Sequence, residues 1–586
     1  EAVSNCLAAD GVLICRQHDL SDLEIRTIDP DEEFIQRNRE ISDKVAEILT
    51  MMSTLSGDVK SRTVKMNDDF QADYDALPDS IKQSGSGRMQ ASSMNFGSRL
   101  YATTRQLLLG LQVEQTIDLA IDDLENNIKT VIGVENTGES LLNSLINTKI
   151  FNQEDNLYYD QLSAQDSKTL SDSQKEELAR LNNLRSERLQ ELFFEEVPQF
   201  RDYLKLVLSR IRNIYVRNAY GVGHFETIKD KSYLDLEDRI KESIDKLTED
   251  IPLIPIDVIR QSLKERGYSM AEVSGRNIYL EKTEHPEGNG KPAVWMVRQM
   301  PSEKEATKTI NGFQDGKFDA ITITKTGSTG FSMHANPLFR DTRQRDFIAL
   351  QKAANITDFL QWIGRVNRKG QVISPKISSL NAGLPVELRL TMMHNAKLRK
   401  LSANVTSNRE NSNIENEEVD FLNKVGDELA LNFLMVNEEL AERIDVKLPK
   451  DADDLPKQEN YYINRLMSRL VLLPVEEQEG IISTLSMMFS EKIAQLDAQG
   501  INPFKVEVFD WKAKEVESFN IESFTGIDTG SYFDVPLKVS SLEFDIHRKP
   551  ITFDKVDEMV ERYIEEHHSG QEFNDYLPKI NVELFR

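Results

Sequence analysis

The sequence predicts an α/β protein: a lobe built on a parallel sheet, interrupted by a helical insertion and followed by a mixed α+β C-terminal domain. Three observations carry this. Strand and helix patterns alternate between about residues 251 and 390, as helical crossovers between parallel strands require. Short apolar runs such as Thr130-Val131-Ile132-Gly133-Val134 and Ile321-Thr322-Ile323-Thr324 run into glycine-containing corners. The composition, 39% hydrophobic and 29% charged, is that of a folded chain rather than a disordered one.

The elements follow in order. Residues 1–30 read as a helix and two strands (Val12 to Cys15, Ile25 to Ile28), ended by Asp29-Pro30. A charged helical connector runs over 31–100, with Phe34, Ile41, Val45 and Ile48 near helical spacing. Helix Ile117 to Ile128 and strand Thr130 to Val134 lead to the corner Asn136-Thr137-Gly138-Glu139. Residues 146–245 form the insertion: Ser173-Gln174-Lys175-Glu176 reads as a capping box, and a second helix runs from Leu204 through Tyr215. The lobe comprises 101–145 and 246–404, with helix Val258 to Arg266, strand Ala320 to Thr324, strand Phe347 to Gln351 and helix Thr357 to Lys369. A polar linker at 405–418 precedes the C-terminal domain at 419–586, helical to Gln499, then β-rich, with a last helix from Phe553 to His567.

Among 586 residues, no apolar run approaches the roughly 20 residues of a membrane-spanning helix, and no membrane partner is expected. Two cysteines, Cys6 and Cys15, fit a reducing compartment such as the cytoplasm and imply no metal site. Glu1 is not an initiator Met and no signal peptide follows it, so the sequence reads as a piece of a longer polypeptide. The net charge of −27 argues against a general nucleic-acid coat, which leaves a basic footprint, but permits a narrow groove. Arg343, Arg345, Arg365, Arg368 and Lys369, then Arg389, Lys397, Arg399 and Lys400, are the residues that would line one, while Lys397 to Lys400 reads equally well as a helix end favoured by its dipole.

The most informative segment is Gln361-Trp362-Ile363-Gly364-Arg365-Val366-Asn367-Arg368. At about 100° per residue, Gln361, Arg365 and Arg368 fall on one helix face and Phe359, Ile363 and Val366 on the opposite one. Such a helix buries its apolar side and directs two guanidiniums outward. The same pattern would suit an amphipathic surface helix with ordinary arginines. Upstream, strand Ile321 to Thr324 enters Lys325-Thr326-Gly327-Ser328-Thr329-Gly330, a corner able to offer backbone N–H groups and hydroxyls to a phosphate. Phe313-Gln314-Asp315-Gly316 and Ser274-Gly275-Arg276 precede it.

The pattern Q-x-x-G-R-x-x-R resembles motif six of superfamily-two helicases, and the glycine corner resembles motif five. Further runs are similar, in order, to the strawberry notch family: Ile132 to Glu139, Pro255 to Ile259, Gly267 to Arg276, Gln371 to Arg409, Asn464-Arg465-Leu466 and Asp528-Thr529-Gly530. The resemblance implies the second RecA-like lobe of a helicase, with residues 1–30 the tail of the first. It implies Arg365 and Arg368 as catalytic arginine fingers. Gln361, Gly364, Gly327 and Gly330 would border nucleotide, and Ser328, Thr329, Gly275, Arg276 and Thr137 nucleic acid. Asn367 departs from the residues helicases often carry there.

The chain has no G-x-x-x-x-G-K-[ST] and no D-E-x-D/H box. Gly288-Asn289-Gly290-Lys291 is followed by Pro292 where the Mg²⁺-binding hydroxyl would stand, and reads as a hairpin turn. ATP and Mg²⁺ would therefore be held mainly by an N-terminal RecA-like lobe, the first expected partner, and this chain alone would not turn over ATP. Nucleic acid, DNA rather than RNA, is the second partner, and proteins docking on the insertion are a third. The competing expectation is an inactive helicase-like scaffold, for example a component of a phage or mobile-element particle, its acidic surface serving protein partners.

Overall fold

The alternating strands and corners build a six-stranded sheet in the order β1-β12-β11-β3-β10-β7, parallel at every neighbouring pair. The structure, a computed structural model, describes residues 24–76, 89–163, 165–166, 170–217, 223–288, 290–300, 306–325, 331–351, 356–389, 391–392, 421–450, 454–456, 458–499, 501–502, 514–521 and 537–543. Its strands are β1 (Glu24–Ile28), β2 (Gln90–Ser93), β3 (Lys129–Gly133), β4 (Phe193–Phe194), β5 (Asn213–Arg217), β6 (Gly223–Thr227), β7 (Met270–Val273), β8 (Ile278–Thr283), β9 (Val294–Gln299), β10 (Ala320–Ile323), β11 (Arg345–Ala349), β12 (Lys376–Leu380), β13 (Lys514–Ile521) and β14 (Leu537–Glu543). The helices that matter below are α1 (Glu32–Asp75), α2 (Phe96–Leu111), α3 (Val113–Glu125), α4 (Glu139–Ile150), α5 (Gln153–Ser163), α6 (Asp172–Leu189), α7 (Phe200–Ile211), α8 (Lys231–Asp245), α9 (Pro255–Glu265), α10 (Ala306–Gln314), α11 (Ile356–Val366), α12 (Lys424–Val436), α13 (Glu438–Arg443), α14 (Tyr461–Arg469) and α15 (Val475–Ala498).

Successive strand residues face opposite sides of a sheet, and both sides here are apolar. Val131, Ile321 and Phe347 point to one face, where α10 and α11 cover them with Ile310, Phe313, Phe359, Trp362, Ile363 and Val366. Ile132, Ala320 and Ile348 point to the other, covered by Ala120, Ile121 and Leu124 of α3 and Ile256, Ile259 and Leu263 of α9. The mixed α/β class is as expected, in three layers. This explains why strands such as Lys129–Gly133 read as continuous rather than alternating hydrophobic runs.

Several local expectations shift. The capping box of α6 uses Ser171 and Gln174, not residues 173–176. Residues 146–245 are not helical throughout. The helix through Leu204 stops at Ile211, and Tyr215 lies in β5, which pairs antiparallel with β2 and β6. Likewise β4 pairs with β9. These strands are too short to show a period, and β2 lies far from β5, and β9 from β4, in sequence. Gly288 and Gly290, with φ of +100° and +108°, sit in the β8–β9 hairpin turn, a conformation glycine adopts without strain.

The chain divides into two compact units, one of residues 16–502 and one of residues 1–15 with 503–586. The described part of the second is the antiparallel pair β13–β14. In the first, β1 forms the sheet edge beside β12, and α12 to α15 are packed with the sheet lobe in one unit. Strand Val12 to Cys15, the linker 405–418 and helix Phe553 to His567 lie outside the described residues.

Below β1 lies a buried acid pair. Arg26 donates to Asp346 at 2.7 Å and lies 3.7 Å from Asp123. Ser378 donates to Asp346, and the buried Asp123 carboxyl lies close enough to feel the Asp346 charge. Burial first, and then Asp346, push the Asp123 carboxyl up to about 8. The folded chain thus keeps a proton that the unfolded chain releases near pH 4, so this site's stabilisation declines as pH rises from about 4 to about 8. Asp123→Asn, which stays neutral, is expected to flatten that decline and to be more stable than the native protein at pH 8. Urea unfolding at pH 5 and pH 8 checks this, and parallel slopes for the two proteins would refute it.

Candidate functional site

In a parallel sheet the strand ends that carry corners and helix starts all lie along one edge, where ligands bind. Here β3, β10, β7 and β11 deliver Val134 to Glu139, Thr324-Lys325, Ser274 to Asn277 and Leu350-Gln351 to that edge. Side chains tie these exits together. Gln351 Oε1 accepts the Asn136 N–H at 2.9 Å, and Asn136 Oδ1 accepts that of Gly138 at 3.0 Å. Glu139, opening α4, accepts the N–H groups of Asn277 and Ile278 at 2.7 and 3.2 Å. Gly138 has φ +76°, and a Cβ there would meet the Leu253 carbonyl at 3.0 Å, so only glycine suits this turn. Thr137 is half-buried, its hydroxyl accepting the Glu139 N–H at 3.4 Å.

α11 crosses the sheet on its apolar side. Trp362, Ile363, Val366 and Phe359 are buried. Gly133 beneath them is required by packing, because a Cβ would lie 2.5 Å from Phe347 and 3.1 Å from Trp362. On the outer side Gln361 is exposed, and a Cβ at Gly364 would touch nothing within 4 Å. Half-buried Arg365 donates from Nη1 to the Phe331 carbonyl at 2.8 Å. Exposed Arg368, just past the helix, donates from Nε to the Gly364 carbonyl at 3.0 Å. Burial, and then the neighbouring Arg368, lower the pKa of Arg365 from its ordinary value. Asn367 Oδ1 accepts from Gln371 at 3.0 Å.

Other expectations change. Arg276 is not available to nucleic acid: its side chain is fully buried and bonded to Asp257 and Glu272. Burial alone would weaken its charge, but the two carboxylates outweigh that and hold its pKa above the ordinary value. Gly275 beside it is exposed in the turn. Arg345 cannot line a groove either. Its buried guanidinium bonds the carbonyls of Met333, Arg343 and Asp341. Arg343 pairs with Asp341 and Asp319, and Arg389 lies 5.1 Å over the Tyr101 ring. Gly327, Ser328, Thr329 and Gly330, together with Lys397, Arg399 and Lys400, fall outside the described residues. Lys325, at the threshold of that corner, pairs with Asp358 of α11 at 2.8 Å.

A feature the sequence reading missed is the buried cation cluster at the opposite strand ends. Lys129 is fully buried, 2.8 Å from Asp341, bonded to the Phe313 carbonyl and 4.0 Å over the Phe313 ring. Desolvation brings its pKa down to about 8. A lysine opening an otherwise apolar strand was its signal. Among the described residues, no group of three or more His, Cys, Asp or Glu could hold a metal, and no helix is long and apolar enough to cross a membrane.

Arg276→Ala would leave Asp257 and Glu272 short of their buried partner, so denaturant melts should show a loss of about 3–5 kcal/mol. Arg368→Ala should stay within about 0.5 kcal/mol. Gly364→Ala, which removes a flexible residue from a helix and meets no neighbour, should stabilise by roughly 0.5–1 kcal/mol. Destabilisation of Gly364→Ala would mean that the outer face of α11 is not open.

Residues 257–508 match the family described as the C-terminal domain on strawberry notch homologues. The match contains β7 to β12, while β1 and β3 of the same sheet come from before it. No curated protein matches the chain. Among solved structures, the C-terminal part of the Fun30 ATPase domain aligns at 11% identity over 43% of this chain and 85% of that one. Its TM-score is 0.17, too loose a superposition to transfer any residue. Over residues 257–508 the chain is thus similar to the C-terminal domain found on strawberry notch homologues.

Proposed function

We propose that this chain is the second RecA-like half of an ATP-dependent nucleic-acid translocase, completing an ATP site whose phosphate loop belongs to another lobe. The observation that carries this reading is the outer face of α11 and its end. Arg365 and Arg368 bond only carbonyl oxygens there, and no carboxylate neutralises either charge among the described residues. Gly364 leaves room between them. By contrast Arg276, Arg343 and Arg345 are engaged by acids.

The chemistry follows from charge. In phosphoryl transfer to water, negative charge spreads over the equatorial oxygens of the γ-phosphate, and planar fixed cations stabilise it. Mg²⁺ would be held with ATP mainly by the other lobe and would supply neutralisation of phosphate charge. The residues of this chain would approach from the opposite wall: Arg365 and Arg368 as fingers, with Gln361 and Gly364 bordering the nucleotide. Nucleic acid would lie along the strand-end edge, at Thr137, Gly275 and the 326–330 corner. There backbone N–H groups and hydroxyls can hold phosphates without a basic coat, which reconciles binding with a net charge of −27.

The test is steady-state ATP turnover by the polypeptide that joins this chain to its phosphate-loop lobe. Arg365→Ala and Arg368→Ala are expected to reduce it by about three to five orders of magnitude. Ile363→Ala, a buried truncation, should instead cost roughly 2–5 kcal/mol of stability. If Arg365→Ala melts as early as Ile363→Ala and spares turnover, the arginine is structural and the chain is an acidic scaffold.

A further inference from the structure

Three consecutive carbonyls follow the glycine corner after β10, and each is held by a side chain from a different element. Phe331 O accepts from Arg365 of α11 at 2.8 Å. Ser332 O accepts from Gln314 Nε2, at the end of α10, at 2.6 Å. Met333 O accepts from Arg345 Nε, at the start of β11, at 3.2 Å. The backbone closes the loop, because Met333 N–H donates to the Arg365 carbonyl at 2.8 Å. Gln314 and Arg345 are themselves joined, Arg345 Nη2 donating to Gln314 Oε1 at 3.4 Å.

The two kinds of anchor differ in burial. Gln314 and Arg345 are essentially inaccessible, and Arg345 is further fixed by the Asp341 carbonyl at 2.8 Å. Arg365 is half-buried. Residues 331–333 are thus clamped from the core side and present the Phe331 carbonyl outward to Arg365. That carbonyl sets where the guanidinium plane points.

We infer that Gln314, backed by Arg345, is a positioning residue for Arg365: it fixes the 331–333 segment, and through the Phe331 carbonyl the segment aims the guanidinium. This rests on the reading of Arg365 as an arginine finger. A misplacement of about 1 Å at a reacting group costs on the order of 100-fold in rate, so a loosened clamp is read in kcat. The amide is essential in both directions, since Nε2 donates to Ser332 and Oε1 accepts from Arg345. Methionine offers neither, and an ionised glutamate would set a carboxylate against the Ser332 carbonyl.

The experiment compares Gln314→Met, Gln314→Glu and Arg365→Ala in the polypeptide joined to its phosphate-loop lobe, below the melting temperature of every variant. Gln314→Met should lower kcat for ATP by about 10- to 100-fold with KM unchanged. Gln314→Glu should be impaired at neutral pH and recover as pH falls, because a protonated carboxyl again donates to Ser332. Full kcat in Gln314→Met alongside loss of turnover in Arg365→Ala would overturn the positioning role and leave the proposed function standing. A fall in activity matching only a lost folded fraction, with no recovery of Gln314→Glu at low pH, would also overturn it. Full turnover in Arg365→Ala would remove the finger and the positioning role together.

Discussion

The seating of Trp362 on Phe347 above Gly133 is the contact on which the outer face of α11 depends. An 11-residue helix is too short to be stable alone in water, so its orientation is whatever burial dictates. The floor beneath it has no side chain at Gly133, and the indole fills that space, with ring centroids 6.3 Å apart from Phe347. Once Trp362 is down, Ile363 and Val366 follow it into the core, and Gln361, Gly364 and Arg368 can only face out. A methyl group at residue 133 would lift the helix, and the arginines would move with it.

Charge in this protein is sorted by burial rather than by count. An interior guanidinium is tolerated only where acids or carbonyls compensate it, and Arg276 and Arg345 satisfy that condition completely. They stiffen the turn after β7 and the start of β11. Arg365 and Arg368 sit nearer the surface with carbonyl partners alone, which orient a cation without cancelling it. Sequence proximity to a motif does not separate the two groups. The location of the acids does, and Asp257 comes from a helix 19 residues before Arg276.

This explains which parts of the site were legible. The phase of the 361–368 segment depends on residues within three turns of one another, so periodicity gives the faces correctly: Phe359, Ile363 and Val366 are buried, and Gln361 and Arg368 are exposed. Strand cores such as Val131-Ile132 and Ile321 were readable for the same local reason. Arg276 was misjudged because its partners are contributed by α9 and β7, and a serine-glycine-arginine turn looks exposed when read alone. The short strands of the insertion failed similarly. The pairing of β5 with β2 joins residues more than 120 positions apart, and no local pattern reports that. Gln314 was visible only as part of the Phe313-Gln314-Asp315-Gly316 run before β10, since its role arises from Ser332 and Arg345 converging on it.

The long helix α1 adds a mechanical consequence. Its 44 residues span about 66 Å at 1.5 Å per residue, starting directly from edge strand β1, with Asp31 capping Phe34 N–H at 2.8 Å. Along one side it bonds the Ala382 carbonyl through Asn38, Glu479 through Arg39, the Val475 N–H through Asp43 and the Leu472 carbonyl through Thr50. The first of these partners follows β12, and the others precede or open α15. Buried Ile41, Val45, Ile48, Leu49 and Met52 run along the same stretch. The sheet and the C-terminal helices are therefore joined through a helix that cannot bend between them without losing several buried contacts at once. A shift of the chain after β12 would therefore carry the start of α15 with it through these bonds.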